Sequence, residues 1–113
     1  MTIIDTHCHL YSEEFDVDRE AMIKRAQQLG VQKFYLPGID SESIGAMLKM
    51  EEDYPNVCFP MMGLHPCYVK ENYLDELQIV ENQLHERKFY ALGEIGIDLY
   101  WDKSTEAIQI EAF

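Results

Sequence analysis

Ile3-Ile4-Asp5-Thr6-His7-Cys8-His9 is the stretch around which the chain is organised. Two apolar residues run into an acid, and two histidines follow at alternate positions. In an extended backbone alternate side chains point the same way. A strand over Ile3–His9 therefore puts Asp5, His7 and His9 on one face and Ile4, Thr6 and Cys8 on the other. Two imidazoles on one face at the end of a strand can bind one metal ion. A carboxylate beside them can add a ligand or accept a ring N–H.

Working outward, Leu10–Phe15 reads as a loop. Asp16 or Asp18 can cap a helix running to about Leu29, with Met22, Ile23, Ala26 and Leu29 on its apolar side and Gly30 as its stop. Val31–Leu36 reads as the second strand, with Phe34, Tyr35 and Leu36 as its core. Asp40 or Ser41 opens a second helix to about Asp53, with Ile44, Met47 and Leu48 inward. Val57–Met62 is the third strand, although Pro60 cannot donate to a ladder. Asn72 caps a third helix from Tyr73 to about Arg87, with Leu74, Leu77, Val80 and Leu84 as one stripe. Phe89–Glu94 reads as a fourth strand, and Ser104 or Thr105 opens a fourth helix containing Ala107, Ile108 and Ala112. Strands and helices alternate at roughly 30-residue spacing, the length of a βα crossover unit. Apolar strands separated by amphipathic helices imply a parallel α/β sheet.

Composition bounds the function. The chain has 113 residues, 47% hydrophobic and 12% aromatic, which is enough for a single globular domain over residues 1–113. Nine Lys+Arg against 21 Asp+Glu give a net charge of −12, so bulk electrostatics cannot hold a phosphate backbone. A nucleic-acid substrate would need bound metal ions or a local patch. Cys8, Cys58 and Cys67 form no CxxC pair, and their odd number points to a reducing, cytoplasmic setting. Cys58 reads as a buried thiol. The N-terminus lacks a basic n-region and does not read as a signal peptide. No apolar run reaches the ~18 residues of a membrane span.

In parallel α/β folds the chemistry sits at the carboxyl ends of the strands. The first strand exits at His7 and His9, the third at Gly63-Leu64-His65-Pro66, and the fourth at Glu94 with Asp98 beyond it. Glu94 stands in an otherwise apolar strand, where an unpartnered carboxylate is costly to bury. A metal shared with His7 and His9 would partner it. His65 is a candidate substrate contact or proton carrier. Asp98 is a candidate for positioning cationic side chains or loop N–H groups. His85, on the third helix, reads as solvated.

Taken together, Ile4-Asp5-Thr6-His7-Cys8-His9-Leu10, Gly63-Leu64-His65-Pro66 and Gly93-Glu94-Ile95-Gly96-Ile97-Asp98 resemble the TatD family of metal-dependent hydrolases, within the amidohydrolase-like TIM barrels. Gln109 also fits that family's pattern. The resemblance implies a (β/α)8 barrel that cleaves phosphodiester bonds of DNA. It implies His7, His9 and Glu94 as metal ligands, with Glu94 bridging two divalent ions (Zn, Mg, Mn, Fe or Co), and His65 and Asp98 in the catalytic site. Such a barrel takes about 250 residues, so four βα units correspond to its N-terminal half. The family's remaining ligands belong to later strands. A half-barrel leaves two open sheet edges and an uncovered inner face, so the expectation is a fragment inactive by itself that self-associates or adopts a more open sheet than its parent. Two other readings stand beside this one: an amidohydrolase acting on small amides or esters, and a non-catalytic, self-associating half-barrel.

Overall fold

Apolar, β-branched and aromatic residues at Val31–Pro37 make the central strand, β2, of the computed structural model, which describes residues 1–113. On one side β2 pairs in parallel with β1 (Ile3–Asp5), and on the other with β3 (Cys58–Met61). The connections are helical: α1 (Arg19–Gln28) joins β1 to β2, and α2 (Ile44–Asp53) joins β2 to β3. Then come α3 (Tyr73–Glu86) and the short α4 (Glu106–Ala112). Gly30 follows the C-cap of α1 at φ +101°, a left-handed turn that a side chain would strain. Asp40 and Ser43 cap each other ahead of α2. The Asp40 carboxylate accepts the Ser43 N–H at 2.9 Å, and the Asp40 N–H donates to Ser43 Oγ at 3.2 Å.

The main core lies between the sheet and the first two helices. Ile23, Phe34, Leu36, Met47, Cys58 and Met62 form its centre. A smaller cluster of Leu64, Val69 and Tyr73 seats α3 and α4. Three stripe residues expected inside face out: Leu29 (80% exposed), Leu74 (62%) and, less fully, Leu84. In α3 the buried residue is Tyr73, because the helix rests on the 64–69 loop rather than flat on the sheet.

Two strand expectations need correction. β1 ends at Asp5, so His7 and His9 stand on irregular backbone beyond it, although the Cys8 N–H still reaches Tyr35 C=O at 3.1 Å. The run Phe89–Glu94 does not form a fourth strand and makes only one bridge, Met62 to Leu92. Pro60 is one cause. Its carbonyl accepts from Tyr90 at 3.4 Å, so the N–H it lacks would have faced the same segment. The other cause lies at the exit. Gly93 donates to Met62 C=O at 2.9 Å and accepts from Gly38 N–H at 2.8 Å. Glu94 then donates to Gly38 C=O at 3.0 Å. The chain thus crosses over the end of β3 to the exit of β2 and carries Glu94 toward the histidines. Gly63 permits the crossing: a Cβ there would sit 2.8 Å from Glu94 O and 2.8 Å from Gly93 C.

The inner face of the sheet is only partly covered: Phe59 is buried, Tyr35 is half-buried and Tyr90 is exposed. Tyr35 stacks on Phe59 at 5.1 Å between centroids, and the half-exposed Tyr90 meets Phe59 edge-on at 4.7 Å. The accessible surface is 7250 Å² for 13.2 kDa, whereas a compact monomer of that mass has about 6,400 Å². The radius of gyration is 15.0 Å, against about 13 Å for a closed domain of this length. Both values describe an open sheet with helices on one side. No helix is long and apolar enough to cross a membrane.

Candidate metal centre

Histidines from two strand exits converge on one carboxylate. Glu94 Oε2 lies 3.2 Å from His7 Nε2 and 3.4 Å from His9 Nε2, while Oε1 lies 3.2 Å from His65 Nε2. The potential ligand atoms of His7, His9 and Glu94 are all within 4.8 Å of one another. Oε2 is buried and makes no hydrogen bond, despite two imidazole nitrogens within reach. A buried, unpartnered carboxylate oxygen costs on the order of 1–3 kcal/mol or more. A cation between the carboxylate and the rings would satisfy it.

Hydrogen bonds at the far ring nitrogens support this. Tyr11 Oη donates its one proton to Pro37 C=O, so toward His9 Nδ1, 2.9 Å away, it can only accept. The His9 proton is therefore on Nδ1, and Nε2 turns a bare lone pair to Glu94. Burial, then the neighbouring His7, holds His9 below its ordinary pKa and keeps it neutral. A lone pair facing a carboxylate oxygen repels it. A cation between them reverses the sign, and imidazole nitrogen with carboxylate oxygen is a common donor set for a divalent ion.

His65 is oriented the opposite way. Its Nδ1 accepts the Cys67 N–H at 3.0 Å, in the turn that Pro66 starts. The proton of the neutral ring is then on Nε2, the atom beside Glu94 Oε1. His65 presents an N–H to the site, and its ring is not among the clustered ligand atoms. It can donate to the carboxylate or to an anionic oxygen bound there.

The other sequence candidates lie elsewhere. The Asp5 carboxylate accepts the His7 N–H at 3.1 Å, holding the backbone rather than a ring nitrogen. Asp98 is near but separate, and its Oδ1 accepts the Tyr100 N–H at 2.8 Å. His85 is exposed, 3.8 Å from Glu81 on its own helix. Cys58 is buried, with its thiol pushed up to about 12 by burial.

Two contributors escaped the sequence reading. Tyr11 fixes the His9 tautomer, and extending the alternation of Asp5, His7 and His9 by one step would have reached it. Arg19 steadies the Tyr11 loop by donating to Leu10 C=O at 2.6 Å and Ser12 C=O at 2.8 Å. Gln109, fully buried, clamps the backbone of Asp98. Its Oε1 accepts the Asp98 N–H at 2.8 Å, and its Nε2 donates to Asp98 C=O at 3.0 Å and Thr105 Oγ1 at 3.0 Å.

Known proteins resemble this chain in sequence and fold. The family model described as TatD related DNase matches residues 4–113. An uncharacterized metal-dependent hydrolase, YabD of Bacillus subtilis, is 33% identical over 111 residues, covering 98% of this chain and 43% of that protein. A 3'-5' ssDNA/RNA exonuclease TatD of Pectobacterium parmentieri is 28% identical over 111 residues, covering 98% of this chain and 43% of its own length. The crystal structure of YJJV, a TatD homologue from Escherichia coli K12, superposes with a TM-score of 0.87 at 34% identity, covering 97% of this chain and 43% of that one. The chain thus spans less than half the length of the relatives it matches.

Proposed function

Because the chain belongs to the TatD-related DNase family, we propose that it carries the first half of a divalent-metal site for phosphodiester hydrolysis. Residues 1–113 would form one domain, the N-terminal βα units of a (β/α)8 barrel, with single-stranded nucleic acid as substrate class. The observation that carries this reading is the buried, unbonded Glu94 Oε2 facing two imidazole nitrogens. A cation shared with the two rings would satisfy it, and His9, with its proton on the far nitrogen, cannot.

The residues fit such an ion. His7, His9 and Glu94 would hold the ion. When bound, divalent metal activates water and neutralises charge on a scissile phosphate. It would also reconcile a protein of net charge −12 with an anionic substrate. The chain's own groups do the rest. Tyr11 keeps the His9 lone pair turned into the site. His65 offers its Nε2–H to a phosphate oxygen that displaces it from Glu94. Asp98 shapes the rim. The ligands of a complete site that lie on later strands would come from the remainder of a relative-length chain, so this chain is expected to bind metal without turning over substrate. Its partly covered inner face, where Tyr90 is exposed beside Tyr35, would favour self-association. A compact monomer in sedimentation at high concentration would count against that.

The primary test is calorimetric titration of Mn²⁺ and Zn²⁺ into the 113-residue chain and into His7→Ala. Saturable binding that the substitution weakens at least ~10-fold is the expected result. Equal binding by both proteins would remove the site.

A further inference from the structure

The loop that leaves Glu94 ends in two large aromatic side chains with nothing on them. Tyr100 is 81% exposed and Trp101 is 79% exposed. They meet edge to face, with ring centroids 4.8 Å apart at 87°. The pair touches no core cluster, so it adds little to the fold, and two exposed aromatic faces invite a ligand.

The loop is also held in place from below. Gln109 is 1% exposed, and its amide spends both protons and its oxygen on the Asp98 backbone and Thr105. A buried amide with every hydrogen saturated makes a rigid root. Asp98 Oδ1 then accepts the Tyr100 N–H at 2.8 Å, and Asp102 Oδ1 accepts the Ser104 N–H at 2.8 Å. The two rings are bracketed by two side-chain-capped turns. Ordering the loop is already done before any ligand arrives, which lowers the entropic cost of binding.

We propose that Tyr100 and Trp101 form a stacking platform for an unpaired nucleobase of a single-stranded nucleic acid at the rim of the metal centre. This deepens the hydrolase reading and rests on it. Charge selects the occupant's mode of binding. A chain of net charge −12 repels a phosphate backbone, so affinity away from the metal must come from the bases, and every base has a face that stacks. Bases in a duplex are already stacked on each other and offer no face. The platform therefore discriminates single strands from duplex by stacking, with only Lys103 in the loop and Lys70 beside Asp102 to meet a phosphate. Tyr68, half exposed and edge-on to His65 at 5.7 Å, is a second aromatic beside the same centre.

Trp101 is the chain's one tryptophan, so its emission reports on this loop alone. The experiment titrates the chain, in chelator, with a thymidine hexamer and with an abasic hexamer of the same backbone. The thymidine oligomer should quench Trp101 saturably, and the abasic one should not. Anisotropy of a labelled thymidine hexamer should show binding weakened on the order of 10-fold in Trp101→Ala and in Tyr100→Ala, with Trp101→Phe retaining most of it. Raising salt should weaken binding by a log–log slope shallower than about −1.4, the value for two neutralised phosphates on a single strand. Equal quenching by both oligomers, no quenching, or unchanged affinity in Trp101→Ala would overturn the platform. A Mn²⁺ titration of the same protein, freed of chelator, separates the two readings. Metal binding without quenching removes the platform and leaves the centre. Quenching without metal binding removes the centre and leaves the platform.

Discussion

His9 and His65 look equivalent from Glu94. Each sits just beyond a strand of the same sheet, and each puts Nε2 within 3.4 Å of a carboxylate oxygen. They present opposite chemistry. At the exit of β1 the far nitrogen meets a hydroxyl that can only accept, so the near nitrogen is a bare donor of electrons. At the exit of β3 the far nitrogen meets a backbone N–H, so the near nitrogen carries the proton. One neighbour two residues along the chain decides, in each case, whether the ring can ligate a metal or donate a hydrogen bond. The difference shows that a histidine's role is read from the partner of its other nitrogen, not from its distance to the site.

The largest effect should come from removing the carboxylate both rings face. Glu94→Ala is expected to abolish detectable divalent-metal binding. It should also leave the metal-free chain at least as stable as before, since the lost Oε2 is buried and unpaired. Calorimetry and thermal melts on the same protein check both halves. A melting temperature that fell by several degrees would make Glu94 a structural residue. In a full-length relative carrying the same site, hydrolysis should vanish with metal binding.

Substitution by glutamine then separates the two histidines. His9→Gln removes an imidazole ligand and should weaken metal binding on the order of 100-fold. His65→Gln keeps an N–H donor at the position and should leave metal affinity within about 10-fold, the lower end of effects from groups behind a ligand. Equal losses at the two positions would make His65 a ligand as well. Equal retention would remove His9 from the centre.

The sequence makes most of this architecture legible, and the failures are instructive. Gly30 and Pro55 punctuate the βα units, and the apolar runs that follow them specify β2 and β3 without outside information. The fourth run has the same local character but no strand, because its partners are set by Pro60 and by the Gly38 backbone, both distant in the chain. The burial of Tyr73 in place of Leu74 likewise depends on which surface α3 meets. At the site, histidines and carboxylate stand out by residue type. Their roles do not, because a tautomer is fixed by a hydroxyl from the loop after His9 and by the Cys67 N–H. Gln109 is visible only as a polar residue on an apolar helix, and the backbone it clamps lies eleven positions away.

The smallest and sharpest change tests that dependence directly. Tyr11→Phe removes one oxygen and keeps the ring in its buried place. His9 Nδ1–H then loses its acceptor, and the proton has no reason to stay there. The alternative tautomer puts it on Nε2, facing Glu94 Oε2, which has no other hydrogen-bond partner. One hydroxyl should therefore turn His9 into a second His65. In metal-free protein, ¹⁵N spectra of the imidazoles should show His9 protonated on Nδ1 and His65 on Nε2 in the wild type, and both on Nε2 in the variant. Metal must then displace a proton that was absent before, so affinity should fall by ~10–100-fold, as for other groups that orient a ligand. His9 spectra unchanged by the substitution would mean that Glu94, not Tyr11, sets the tautomer, and the contrast between the two strand exits would then have to be drawn from the carboxylate outward.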